Sequence, residues 1–300
     1  MVIKIQGYLV NAFTKGDDGG SPTSVVLNAP GLTDLQMQDI AKRTKTSHTA
    51  FVFEPTIYGQ NPTVRFFTSN REILNCGHGT VAAHYARAKQ FNLTGNHSLF
   101  QESKEGLQQI EIVETENEIL VFLHQNEISF TAVDIDVSRQ LISALKIDST
   151  ELIDDLPVTL ASPGSKRFLL ALKSSDVLNT INPDFENVKD ICNAHQSIGC
   201  FAYTVEKFPP LFSATARMFA PIIGVNEDLI NGNSSGCLGE YLLRIYGVNN
   251  LELQVNQGQK FNCNGQVIVR AYKKEDRYHT LIGGTARIVQ EVEITVDSDP

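Results

Sequence analysis

The sequence predicts an α+β chain made of two similar halves, and three observations carry that expectation. Asn75-Cys76-Gly77-His78-Gly79-Thr80 opens one apolar helical run, and Gly232-Asn233-Ser234-Ser235-Gly236 opens another. The elements ahead of these two turns follow the same order. In each half a strand precedes a capped amphipathic helix, two more strands follow, and a small-residue turn leads into a second helix that is apolar on most sides. Repeated order at similar spacing points to internal duplication.

The elements follow in turn. Ile3 to Phe13 alternates like a strand, a Gly/Asp-rich loop runs from Gly16 to Pro22, and Ser24 to Leu27 is a second strand. Thr33 is the expected N-cap of a helix whose apolar face is Leu35, Met37, Ile40 and Ala41. Thr49 to Phe53 and Val64 to Phe67 read as strands, divided by a turn region from Pro55 to Pro62. Thr80 to Phe91 is helical and apolar almost all round, as in a helix buried on most sides. Gln108 to Val113 and Ile119 to Leu123 form a hairpin. In the second half Phe168 to Leu172 is a strand, and Asn182 is placed to cap a helix with Pro183 at its first position. Phe201 to Val205 and Ala214 to Phe219 are strands, and Cys237 to Tyr246 is again a buried helix. The domains expected are 1–125 and 126–280, with the late strands of 281–300 available to complete the first.

Composition limits the function. A chain of 300 residues at 42% hydrophobic can build one large core or two ordinary ones. Net charge −9 argues against a nucleic-acid or anionic-membrane surface, and no apolar run reaches membrane-helix length. The N-terminus reads as a strand rather than a signal peptide. Five scattered cysteines fit free thiols in a reducing cytosol, so the expected location is cytoplasmic. An anionic substrate then needs a local positive field, which the unpaired N–H groups and dipole of a helix N-terminus supply. The two turns are therefore candidate carboxylate seats: Gly77, Gly79 and Thr80 in the first, Gly232, Asn233 and Ser234 in the second.

The residues also resemble a known family. Val10-Asn11-Ala12-Phe13-Thr14, Ser24-Val25-Val26-Leu27, Met37-Gln38-Asp39-Ile40-Ala41 and Ser47-His48-Thr49-Ala50-Phe51-Val52 carry the first part of the match. Cys76-Gly77-His78-Gly79-Thr80, Arg217-Met218-Phe219-Ala220-Pro221, Gly224-Val225-Asn226-Glu227-Asp228, Gly232, Gln257-Gly258 and Gly283-Gly284 continue it. In this order they resemble the PhzF-like (phenazine biosynthesis-like) group, relatives of diaminopimelate epimerase. The resemblance implies two domains, each a barrel-like, mostly antiparallel sheet around a central helix, with the active site in the cleft between them. It also implies a homodimer and acid–base isomerase chemistry on a small carboxylate-bearing metabolite, without metal or cofactor.

The departures from the family pattern fall at informative places. His48 stands where the family carries its main proton-transfer Glu, between Ser47 and Thr49. Asn11 replaces Asp, Ser21-Pro22 replaces Asn-Pro, Leu229 replaces Pro, Asn233 replaces Ser, and the Gly-Arg-Pro beyond Gly258 is absent. An imidazole titrates near neutrality, so His48 has two readings. It is a replacement base, or it marks a homologue that lost its catalytic group and only binds or uses different chemistry. The resemblance assigns catalysis to His48, His78 and Asp228, with Ser47 among the substrate-binding residues. His78 at a helix start is expected to be neutral. Cys76 precedes the same helix, where the dipole favours thiolate. Its expected thiol partner is replaced by Asn231, and a buried, inert role is expected, with thiol chemistry the alternative. Glu227 reads as a solvated turn carboxylate, Arg217 as a structural ion-pair residue, and the remaining histidines have no metal-ligand spacing.

Overall fold

The computed structural model describes residues 2–16, 18–29, 31–55, 57, 60–208 and 211–297. Position 17 of the Gly/Asp-rich loop and positions 56, 58 and 59 of the Pro55 to Pro62 turn region lie outside the described residues. The chain divides into two compact units, Met1–His124 with Gly283–Pro300, and Gln125–Ile282. Among the described residues no helix is long and apolar enough to cross a membrane.

Unit 1 contains β1 (Val2–Ala12), β2 (Ser21–Leu27), α1 (Asp34–Arg43), β3 (His48–Phe53), β4 (Thr63–Phe67), β5 (Glu72–Ile73), α2 (Gly77–Gln90), β6 (His97–Ser103), β7 (Gly106–Glu114) and β8 (Ile119–His124). Unit 2 contains β9 (Ser129–Ala132), α3 (Ile135–Leu145), β10 (Thr159–Ser162), β11 (Lys166–Ala171), α4 (Ser175–Thr180), α5 (Phe185–Ala194), β12 (Ser197–Phe208), β13 (Leu211–Phe219), β14 (Glu227–Asp228), α6 (Gly232–Tyr246), β15 (Asn250–Gln257) and β16 (Gly265–Lys274). β17 (Arg277–Asp297) is long enough to give its start to unit 2 and its remainder to unit 1.

Strand pairing in unit 1 runs β1-β2-β3-β4-β6-β7-β8-β17 and returns to β1, an 8-strand closed barrel that leaves no open edge along its wall. The helix α2 fills it. Val81, Ala82, Ala83 and Ala86 are fully buried, and the short alanine side chains let the helix approach β2 and β8 closely. In unit 2 the ladder runs β9-β10-β11-β12-β13-β15-β16-β17, and α6 packs on β15 and β16 with Cys237, Leu238, Leu242 and Leu243 fully buried.

The duplication extends to strand direction. In unit 1, β2 and β3 are parallel, with α1 in the crossover, and β4 pairs antiparallel with β3 and β5 but parallel with β6. In unit 2, β11 and β12 are parallel, with α4 and α5 between them, and β13 pairs antiparallel with β12 and β14 but parallel with β15. The helices α2 and α6 occupy the same slot in the two schemes.

Thr33 caps α1 through a capping box with Gln36, as its sequence suggests. Leu35 does not belong to the inner face of α1. It is 72% exposed, and the buried residues are Gln36, Met37, Ile40 and Ala41. Asn182 does not cap α5. The helix begins at Phe185, because Asp184 accepts from the Asn187 N–H while its own N–H is taken by the Ala144 carbonyl.

Candidate functional site

His48 begins β3, and its position is fixed by a hydroxyl. Thr46 Oγ1 donates to the His48 carbonyl at 2.9 Å. His78 is the second residue of α2, whose N-cap Cys76 provides no side-chain cap. The first turn of α2 thus keeps its uncapped amides and its positive dipole end. The Cys76 N–H donates to Asn75 Oδ1 at 2.7 Å, and Asn75 Nδ2 donates to Glu105 at 2.8 Å, which ties the turn ahead of the helix.

Three side chains separated in sequence converge here. His78 Nε2 lies 2.9 Å from His48 Nδ1 and 3.3 Å from Cys76 Sγ. The two rings meet edge to face with centroids 4.6 Å apart. Ser47 Oγ is 3.1 Å from the same His48 Nδ1. Burial pushes His48 below its ordinary value, and burial together with the neighbouring His48 pushes His78 down to about 3. Both rings are therefore neutral at pH 7, and a single proton links them, carried by one ring and accepted by the other.

In unit 2 the residues gather around Asn231, the N-cap of α6. Its Oδ1 accepts the Ser234 N–H at 2.9 Å, its Nδ2 donates to Asp228 Oδ2 at 2.9 Å, and its own N–H donates to Gln257 Oε1 at 2.9 Å. Gln257, 1% exposed, also donates to Ser235 Oγ at 2.9 Å. Burial raises the Asp228 carboxyl, opposed by hydrogen bonds from Asn231 and the Leu229 N–H.

The other sequence candidates take varied places. Ser47 is exposed, and Gly77 is half-buried at the first position of α2. Thr80 is buried and accepts from Gln101 at 3.1 Å. Gly79 is buried where an added Cβ would meet the Phe66 ring at 2.9 Å and Cys76 Sγ at 3.1 Å. Gly232 is buried, and exposed Asn233 accepts from Gln125 at 3.1 Å. Ser234 is buried, with its hydroxyl on Met218 Sδ at 3.7 Å.

Glu227 corrects the sequence reading. It is not a solvated carboxylate, because Arg217 grips both its oxygens at 2.8 Å and the two side chains are only 7% and 11% exposed. The hub role of Asn231 and Gln257 and the contact of Cys76 with His78 were also missed. Cys76, His78 and Gln257 lie within the matched fragments and Asn231 stands at the expected thiol-partner position, but none of these signals pointed to the contacts themselves.

The chain matches the family described as phenazine biosynthesis-like protein over residues 10–292. It belongs to that family. An uncharacterized isomerase of Clostridium acetobutylicum is 30% identical over 99% of this chain and 100% of its own length. The trans-2,3-dihydro-3-hydroxyanthranilate isomerase of Pseudomonas chlororaphis is 27% identical over 90% of this chain and 91% of its own. Among solved structures, a Bacillus anthracis phenazine biosynthesis protein of the PhzF family superposes with TM-score 0.86 at 28% identity, covering 97% of this chain and 99% of that one.

Proposed function

We propose that this family member is an isomerase that moves a proton on a small carboxylate-bearing metabolite, with His48 as the base. The observation that carries the reading is the 2.9 Å contact between His48 Nδ1 and His78 Nε2 beside the uncapped start of α2. When His48 Nδ1–H donates to His78, the far nitrogen of His48 keeps its lone pair and can take a proton from carbon. The electron pair left on carbon delocalises into the substrate carboxylate, and the first turn of α2 offers N–H groups and a positive dipole to the charge that develops. In a substrate whose C=C is conjugated with that carbon, the double bond shifts by one position and the proton returns to its far carbon. His78 is the positioning partner that accepts from His48. The isomerase names of the relatives support the reaction class, and an anthranilate-type substrate in one of them supports a carboxylate. The same reading keeps a cytoplasmic homodimer, checked by sedimentation.

The test is deuterium uptake from heavy water into candidate carboxylate metabolites. Uptake with the native protein that falls by about 10²–10⁴-fold in His48→Ala, at nearly unchanged ligand affinity, supports the reading. Equal uptake in both removes His48 as base. Absence of uptake from any ligand that binds favours the alternative, a binding protein that lost its chemistry with the family Glu.

A further inference from the structure

We propose that His48, Cys76 and His78 form a binding site for zinc or a similar borderline divalent cation, and that the bound ion switches off proton transfer. One donor atom from each residue lies within 4.8 Å of the other two, and all three belong to unit 1. Zinc with Zn–N near 2.0–2.1 Å and Zn–S near 2.3 Å sets tetrahedral edges of about 3.3 Å between nitrogens and about 3.6 Å between nitrogen and sulfur. His78 Nε2 is already 2.9 Å from His48 Nδ1 and 3.3 Å from Cys76 Sγ. These two pairs need to part by only a few tenths of an ångström, while the His48 and Cys76 donors, within 4.8 Å of each other, need to close by at most about 1.2 Å to reach the nitrogen–sulfur edge.

The donor set decides the ion. Two imidazoles and a thiol suit zinc and its neighbours and disfavour magnesium or calcium, which want oxygen. Three protein ligands leave a fourth position open, the arrangement of zinc sites that also hold water or an anionic ligand. The surroundings are built for it. Cys76 is 6% exposed, and the missing side chain of Gly79 leaves room for Sγ, which a Cβ there would approach to 3.1 Å. Thr46 and Asn75 fix the backbone on either side. On binding, the Cys76 thiol proton passes to solvent and the imidazole lone pairs point at the ion. His48 Nδ1 and His78 Nε2 then no longer share a proton.

Binding stands on geometry alone, whereas the switching rests on the proposed isomerase reading. The probe is cobalt, which reports a thiolate ligand by a near-ultraviolet charge-transfer band and tetrahedral geometry by intense visible bands. The expected result is one equivalent per full-length chain, displaced by zinc. The thiolate band should vanish in Cys76→Ser and persist in Cys263→Ser, whose sulfur is the half-buried competitor. His48→Ala and His78→Ala should each weaken binding by more than the ~10–100-fold expected for outer-sphere groups. Circular dichroism checks folding, and if His78→Ala fails to fold, His48→Ala decides. A native protein without the band, or a band that survives Cys76→Ser, overturns the site. Where metal-free protein exchanges deuterium, zinc should abolish the exchange at the stoichiometry of the cobalt site, and exchange that continues at saturation overturns the switch. If metal-free protein exchanges no deuterium, the isomerase reading fails with its switch, while the cobalt spectrum still decides the site.

Discussion

Arg217 holds Glu227 with two nitrogens, each 2.8 Å from a different carboxylate oxygen, and spends its remaining nitrogen on the carbonyls of Leu178 and Ile181. The pair stitches β13 to the turn carrying Asp228, and through Leu178 it also ties α4 to the sheet. A planar guanidinium is the side chain that can satisfy all four contacts.

Removing one partner should therefore be costly. Glu227→Ala leaves the Arg217 charge buried and should destabilise the protein by about 3–5 kcal/mol in urea unfolding. The double variant Arg217→Met with Glu227→Met should lose much less. A single variant within about 0.5 kcal/mol of native would mean the pair anchors nothing.

Acid should weaken the barrel through His84. This ring is fully buried in α2, and its Nε2 is 3.0 Å from Gln101 Oε1. Gln101 already donates to Thr80 and Gln108, so His84 must be the donor, and its buried Nδ1 has no partner among the described residues. Burial pushes the ring down to about 4, with Gln101 opposing and Arg87 lowering it further. Between that value and the ordinary 6.5 the unfolded chain binds the proton and the folded one does not. Stability is complete above about pH 6.5 and should decline by about 3 kcal/mol as pH falls towards 4. Urea midpoints for the native protein and His84→Phe over this window check it, and equal slopes would exonerate His84.

Gly79→Ala should destabilise by about 1–3 kcal/mol, because the new methyl meets the Phe66 ring at 2.9 Å. Adding Phe66→Leu should recover part of the loss. If Gly79→Ala is neutral while Phe66 stays in place, the close packing described for α2 and β4 is wrong.

Asn231→Ala removes the cap on the Ser234 N–H and the amide that faces Asp228. A stability loss of about 0.5–2 kcal/mol is expected from the cap. The Asp228 carboxyl, freed of a bond that favours its charged form, should titrate higher than in the native protein. Carboxyl chemical shifts followed against pH read the change, and an unmoved or lower value would refute the contact.

Local signals were legible wherever local physics decides them. The Thr33 cap, the apolar runs of α2 and α6, the β7–β8 hairpin and the repeated order of elements follow from side-chain period, turn chemistry and capping, all short-range properties. The match of ordered fragments added the family, and with it the barrel around a helix. Tertiary structure decided what depends on distant neighbours. Asn182 and Asp184 are both competent caps, and the Ala144 carbonyl selected the second. Glu227 looks like a loop carboxylate until β13 lays Arg217 beside it. Gly79 reads as an open backbone position until Phe66 covers it. His48, Cys76 and His78 have no spacing that announces a cluster, because the start of β3 meets the start of α2 only when the barrel closes. Sequence periodicity reports which face of an element is apolar, but the partner brought against that face is set by strand pairing across the whole unit.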